Sequence, residues 1–312
     1  MSKSIFSAPH FNDEAAAYAY VEARLWANGR VCPHCGVVGE SGKLQGKTNR
    51  LGLWKCYACR KPFSVKIGTI FEGSHIAMRD WLTAMHLICS SKKGISSNQI
   101  HRTLGITLKS AWFMSHRIRE AMAPAKNAGP LGGPGEVVEA DELYTGHKKG
   151  WRRGRVGVSD KMAVVSLVER GGRARSFHLE SSPDALTITN LVTANVSPGS
   201  RLHTDESPLY REMKGHIAMH EKVNHSRKEY ARKDVTTNSV EGYFSVFERG
   251  LVGTYQHVSE RHLQRYLAEF DFRQSNRAKL GVTDDMRADR LLKGTEGKRL
   301  TYRTTDRNQG VA

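Results

Sequence analysis

The chain has 312 residues, enough for about two domains or one larger domain with small appendages. A hydrophobic share of 39% allows a buried core, and the lack of any run of eighteen apolar residues excludes a membrane-spanning helix. Lysine and arginine number 48 against 31 acids, a net charge of +17, which favours a polyanionic partner, most simply nucleic acid, over a basic surface kept for solubility.

The sequence predicts a helix over residues 11–26, with Asn12 and Asp13 suited to its cap and Gly29 past its end. An N-terminal helical segment is therefore assigned to residues 1–30. Cys32-Pro33-His34-Cys35 and Cys56-Tyr57-Ala58-Cys59 follow, two pairs separated by twenty residues. Each pair places two thiolates on one metal from a tight turn, and together they complete a tetrahedron, so one structural Zn²⁺ is expected in a ribbon over 31–70. His34 is a competing ligand that the spacing directs to solvent. Short strands are expected around Trp54 and Phe63, and a domain this small draws much of its folding energy from the metal. Cysteines at metal spacing, with no apolar signal core in the first residues, point to a reducing cytoplasm, and no membrane partner is expected.

Apolar residues Trp81, Leu82, Met85 and Ile88 mark a helix over 78–90. Next comes a short serine-capped helix carrying Ile100 and Leu104, a turn at Gly105, and a longer helix over 108–122. This is helix-turn-helix grammar, assigned to 75–123, in which Lys109, Ser110, His116, Arg117 and Arg119 are expected to face DNA. An ordinary helical hairpin is the alternative. Residues 124–135, rich in proline and glycine, read as a linker. Beyond it the pattern changes to strands at 136–141, 162–168, 174–179 and 201–204, a helix over 183–196 after the second and third strands, and helices over 235–249 and 260–274. That order describes an α/β layer fold. A basic tail with one or two helical turns follows at 276–312. Residues 146–155 carry five basic residues and a tryptophan, among them Lys148, Lys149, Arg152 and Arg153, which suits an arm that grips phosphates.

Asp141 is expected at the end of the first strand of this layer and Asp205 at the end of the fourth, with Glu241 on the following helix. Carboxylates converging from neighbouring elements repel unless cations hold them. Oxygen-only ligands select hard ions, so two Mg²⁺ or Mn²⁺ are expected at such a site.

The residues that carry these acids bear a resemblance. Val138-Glu139-Ala140-Asp141-Glu142, Leu202-His203-Thr204-Asp205 and residues 237–245 resemble the three catalytic blocks of bacterial insertion-sequence DDE transposases. The group it resembles places a zinc ribbon before an RNase H-like, integrase-type domain. Residues 249–258 and 265–273 are similar to that group's C-terminal signature. The resemblance implies an RNase H-like domain over 136–275, a mixed sheet flanked by helices, with Asp141 and Asp205 as its aspartates. For the third position it offers Glu241 or Asn238, one turn apart. Glu241 is preferred because an ionised carboxylate holds a metal better than an amide. The basic residue usual seven positions later is Glu248 here, and Arg249 beside it is the substitute.

The resemblance implies a transposase that binds terminal inverted repeats and cleaves and joins double-stranded DNA, both element ends and target. It also implies a homodimer or larger assembly on DNA in the nucleoid. The competing reading is a DNA-binding regulator with a zinc ribbon, a helix-turn-helix and a degenerate RNase H-like domain.

Overall fold

The structure, a computed structural model, describes residues 4–46, 48–125, 127–148 and 160–301. The chain divides into two units. One is Met1–Ile88, Ser97–Met122 and Ala288–Ala312; the other is Cys89–Ser96 and Ala123–Arg287. Among the described residues no helix is long and apolar enough to cross a membrane.

In the first unit, α1 (Pro9–Asn12) is followed by α2 (Glu14–Leu25). The single helix expected over 11–26 is broken at Asp13, whose backbone is extended. Its carboxylate accepts the Ala16 N–H at 2.6 Å and so caps α2. A three-stranded antiparallel sheet follows, in the order β1 (Ser41–Lys43), β2 (Trp54–Cys56), β3 (Pro62–Phe63). Trp54 pairs with Phe63 across β2 and β3. Trp26, just past α2, meets both rings edge-on at 6.1 and 6.0 Å, and Glu22 of α2 accepts the Trp54 indole N–H at 2.9 Å. The ribbon's small apolar centre is thus completed by the preceding helix.

Helix α3 (Met78–Ser90) buries Trp81, Leu82, Met85 and Ile88 as its periodicity predicts. Helices α4 (Ser97–Leu104) and α5 (Leu108–Met122) are joined through Gly105, whose φ of 65° suits a residue without Cβ. The Thr107 hydroxyl caps α5 by accepting the Ser110 N–H at 3.2 Å.

The second unit is built on a five-stranded mixed sheet. Its strands are β4 (Val137–Thr145), β5 (Met162–Glu169), β6 (Ala174–Leu179), β7 (Arg201–Thr204) and β8 (Met219–Lys222), in the order β6-β5-β4-β7-β8. β4, β5 and β6 form an antiparallel meander, while β7 and β8 run parallel to β4. A three-strand meander extended by two parallel strands is the RNase H-like arrangement, as expected. β5 is buried on both faces, which is why it reads as a continuous apolar run.

Helix α6 (Ala185–Asn195) covers one face, burying Ile188 and Val192 against Val138, Ala140, Val165, Leu167 and Leu202. Its cap is Asp184, which accepts the Thr187 N–H at 2.7 Å, so the helix begins two residues later than expected. The opposite face packs on α7 (Asn238–Gly250) and α8 (Glu260–Ser275), through Val240, Tyr243, Phe247, Leu263, Leu267 and Phe270. Beneath them the Tyr243 hydroxyl donates to Asp271 at 2.7 Å. Burial pushes that carboxyl up to about 6.

Three further features differ from the sequence reading. The helix expected over 235–249 is preceded by a two-stranded ribbon, β9 (Ala231–Arg232) with β10 (Val235–Thr236), because the β-branched Val235 and Thr236 remain extended. Leu131, in the proline- and glycine-rich segment, is 1% exposed and exchanges backbone hydrogen bonds with Asn195 and Ser197. That segment is therefore stitched onto the sheet's α6 face. Helix α9 (Asp284–Lys293) is longer than the turn or two that the sequence suggests.

Candidate active site and metal centre

The four ribbon cysteines converge. The Cys32 and Cys59 Sγ atoms are 3.7 Å apart, as are those of Cys35 and Cys56. Zn–S bonds of about 2.3 Å at tetrahedral angles set sulfurs about 3.8 Å apart, whereas a disulfide holds them at about 2.0 Å. The donor set fits one zinc ion. Each pair is carried on a tight turn: Gly36 N–H donates to Cys32 O at 2.9 Å, and Cys56 N–H to Lys61 O at 3.1 Å. His34 stays outside the cluster, its Nε2 3.2 Å from Pro62 O.

Helix α5 corrects part of the expected DNA-facing set. Arg117 and Arg119 are buried, at 8% and 1% exposure, and His116 is buried with them. The Arg117 guanidinium donates to Ile70 O at 2.9 Å and Leu300 O at 3.1 Å. Its charge is spent on backbone carbonyls from remote segments, which local periodicity cannot reveal. Lys109, at the start of α5, is exposed, as are Asn98, Arg102 and Thr103 of α4.

In the second unit the acids gather where the parallel strands end. The β4–β7 pairing stops at Glu139↔His203, while β4 continues beside β5 as far as Thr145. Asp141 is therefore inside β4 rather than at its end. It borders the gap left where β7 has finished, and Asp205 emerges from β7 at that place. Ligand oxygens of Asp141, Glu142 and Asp205 lie within 4.8 Å of one another. Burial, opposed by a 2.8 Å bond from the Glu142 N–H and assisted by the charges of Glu142, Asp205 and Glu241, pushes the Asp141 carboxyl up to about 7. Burial likewise raises Asp205, whose Oδ1 accepts the Ser207 N–H at 2.9 Å. Carboxylates held this close, and this reluctant to ionise without a counter-charge, form a donor set that fits a hard divalent cation.

Glu142 is a residue that the sequence reading missed. Its two oxygens accept from Ser207 Oγ at 2.8 Å and Tyr210 OH at 3.0 Å, and burial raises its carboxyl. Standing next to Asp141, it offered only adjacency as a signal.

Glu241 lies in the first turn of α7, on the helix that covers the Asp141 face of the sheet, but outside the close cluster. Its Oε1 accepts from Thr237 Oγ1 at 2.6 Å and lies 3.7 Å from His225 Nε2. Asn238 opens the same helix and is exposed. Arg249 is exposed near the helix end, its Nε donating to Ser245 O at 2.9 Å. In the basic arm, Lys148 is partly buried and its N–H donates to Asp160 O at 2.8 Å. Lys149, Arg152 and Arg153 lie outside the described residues.

A mixed five-stranded sheet with acids gathered where the pairing of its central parallel strands stops, joined in one chain to a four-cysteine ribbon, is the arrangement of a DDE-type transposase. Residues 130–275 match the family model of the ISXO2-like transposase domain, and residues 12–62 match that of the transposase zinc-ribbon domain. The second match begins ahead of the cysteines, in the helical segment that completes the ribbon's apolar centre. The chain is also similar to a Halobacterium salinarum protein described as an "Uncharacterized protein in transposable element ISH50". The two are 27% identical over 266 residues, which is 80% of this chain and 86% of that one. The chain belongs to the insertion-sequence transposases that join a zinc ribbon to an RNase H-like DDE domain.

Proposed function

We propose that the protein binds the terminal inverted repeats of its element and, with divalent metal, cuts them and joins them to target DNA. The observation that carries this reading is the convergence of Asp141, Glu142 and Asp205 within 4.8 Å, with the Asp141 carboxyl raised to about 7. Asp141 and Asp205 hold the metal. Glu241 closes the site from α7, in preference to Asn238, and Glu142 lends a further oxygen from the opposite side.

Two Mg²⁺ or Mn²⁺ ions, when bound, would activate the attacking oxygen and stabilise the leaving oxygen of an in-line displacement. In the first reaction water attacks the phosphodiester at the element end, the P–O3′ bond breaks, and a 3′-hydroxyl is released. In the second that hydroxyl attacks a target phosphodiester, forming one P–O bond and breaking another. The protein forms no covalent bond to DNA.

Recognition of the ends falls to the first unit. Its ribbon and the exposed start of α5, with Lys109 and Arg102, approach the groove as helix-turn-helix N-termini do. Lys148, Lys149, Arg152, Arg153 and Arg249 contribute phosphate contacts. Two element ends handled together call for a dimer or larger assembly.

The test uses purified protein, labelled DNA carrying the ends, and Mg²⁺. Wild type should cut and join, while Asp141→Ala and Asp205→Ala should bind the ends yet do neither. Cutting by either variant overturns the site assignment. Binding without cutting by wild type establishes the regulator reading instead.

A further inference from the structure

Two positions before each of Asp141, Asp205 and Glu241 there is a second layer. On β4 the residue two before Asp141 is Glu139; on β7 the residue two before Asp205 is His203; on α7 Ser239 stands two before Glu241. Side chains two apart on a strand share a face, and Glu139 and His203 are register partners across the parallel pair.

Glu139 is fully buried and its carboxylate is crowded with donors. Oε2 accepts the Ser239 N–H at 2.6 Å and the Val240 N–H at 3.2 Å, and Oε1 accepts the Ser239 hydroxyl at 3.0 Å. Arg170, just past β5, donates to Oε1 from Nε at 3.0 Å and Nη2 at 2.8 Å. The same guanidinium reaches Asp234 O at 2.7 Å, Thr236 Oγ1 at 3.0 Å and His203 Nδ1 at 3.2 Å.

A helix of this kind is ordinarily capped by the side chain preceding it. Thr237 makes no such bond, because its hydroxyl is turned to Glu241 at 2.6 Å. The N–H groups left free at the start of α7 are taken by Glu139 instead, from a strand 100 positions earlier. An anion there also opposes the positive end of the helix dipole. Thr237 is thereby released to orient Glu241.

We infer that Glu139, clamped by Arg170, is a positioning residue that caps α7 from β4 and so fixes the spacing of Asp141, Asp205 and Glu241 for metal. This rests on the metal-site reading above. Groups that orient ligands from behind change metal affinity by about 10–100-fold when removed.

The experiment measures Mn²⁺ binding by electron paramagnetic resonance on the zinc-loaded full chain, without DNA. Thermal stability in the absence of Mn²⁺ and affinity for element-end DNA are recorded alongside. Glu139→Gln should weaken Mn²⁺ binding about tenfold or more, with end-DNA affinity unchanged. Arg170→Lys should weaken it in the same direction, and the double variant should be little worse than Glu139→Gln, since the two act as one unit. Ser239→Ala removes one donor without touching the buried charge and serves if Glu139→Gln fails to fold; it too should weaken Mn²⁺ binding. Binding within twofold of wild type in Arg170→Lys and in whichever of Glu139→Gln or Ser239→Ala folds, while Asp141→Ala abolishes it, overturns the inference alone. Unchanged binding in Asp141→Ala overturns the metal-site reading itself.

Discussion

The buried acid at the centre of the site predicts an inverted mutational effect on stability. Asp141 has its carboxyl raised from 3.8 to about 7, chiefly by burial. A raised acid favours folding while it is protonated. Its contribution is complete below pH 3.8 and is lost as pH rises through about 7. Each unit corresponds to about 1.4 kcal/mol, so between pH 5 and pH 8 the metal-free wild type should lose about 2–3 kcal/mol at this residue. Asp141→Asn keeps the shape and removes the titration. At pH 8 without divalent metal it should therefore melt above wild type, by about 4–8 °C if about 2 kcal/mol is recovered. At pH 5 the difference should shrink. Mn²⁺ should raise the wild-type melting temperature at pH 8 by counter-charging the site and should do little for Asp141→Asn. The assay is differential scanning calorimetry of the zinc-loaded chain, followed at the transition of the second unit. Should Asp141→Asn melt below wild type equally at both pH values, with an undiminished Mn²⁺ shift, the picture of a strained, cation-seeking acid would be refuted.

Cys32→Ser should lower bound zinc from one equivalent to none, measured by elemental analysis, and weaken binding to element ends. The Mn²⁺-dependent melting shift should persist, because the acids belong to the other unit. Arg117→Ala should destabilise the first unit by about 2–4 kcal/mol in urea titrations, since one buried and one partly buried carbonyl lose their donor. Lys109→Ala should leave stability within about 0.5 kcal/mol and instead reduce the salt dependence of DNA binding by about one phosphate contact.

Several parts of this architecture are legible in the sequence because they depend on neighbours in the chain. Cysteine spacing fixes the ribbon, the apolar run of β5 marks a strand covered on both sides, and the periodicity of α8 sets its buried stripe. Other parts depend on partners far away. Nothing local distinguishes the buried Arg117 from an exposed arginine, because Ile70 O and Leu300 O satisfy it. β8, Met219-His220-Glu221-Lys222, has no alternating pattern and exists by parallel pairing with β7. At the site, Asp141 and Asp205 stand out as acids beside apolar strands. The part played by Glu142 depends on Ser207 and Tyr210 across the gap, and that of Glu139 on a helix start it meets only in three dimensions.

The mixed sheet also sets an order of assembly. The antiparallel turn from β4 through β6 joins strands adjacent in the chain, so it can close early, whereas β7 must wait for α6 to carry the chain over the sheet. Asp205 meets Asp141 only at that late docking, and Glu241 arrives after a further stretch of synthesis. The ribbon and its zinc can be complete long before then. A nascent or prematurely ended chain can thus own its zinc-held module while lacking the means to cut. A copy that ends before β7 lacks Asp205 and, with it, the segment from Ala288 onward that belongs to the first unit, so neither unit is whole until the last residues are made.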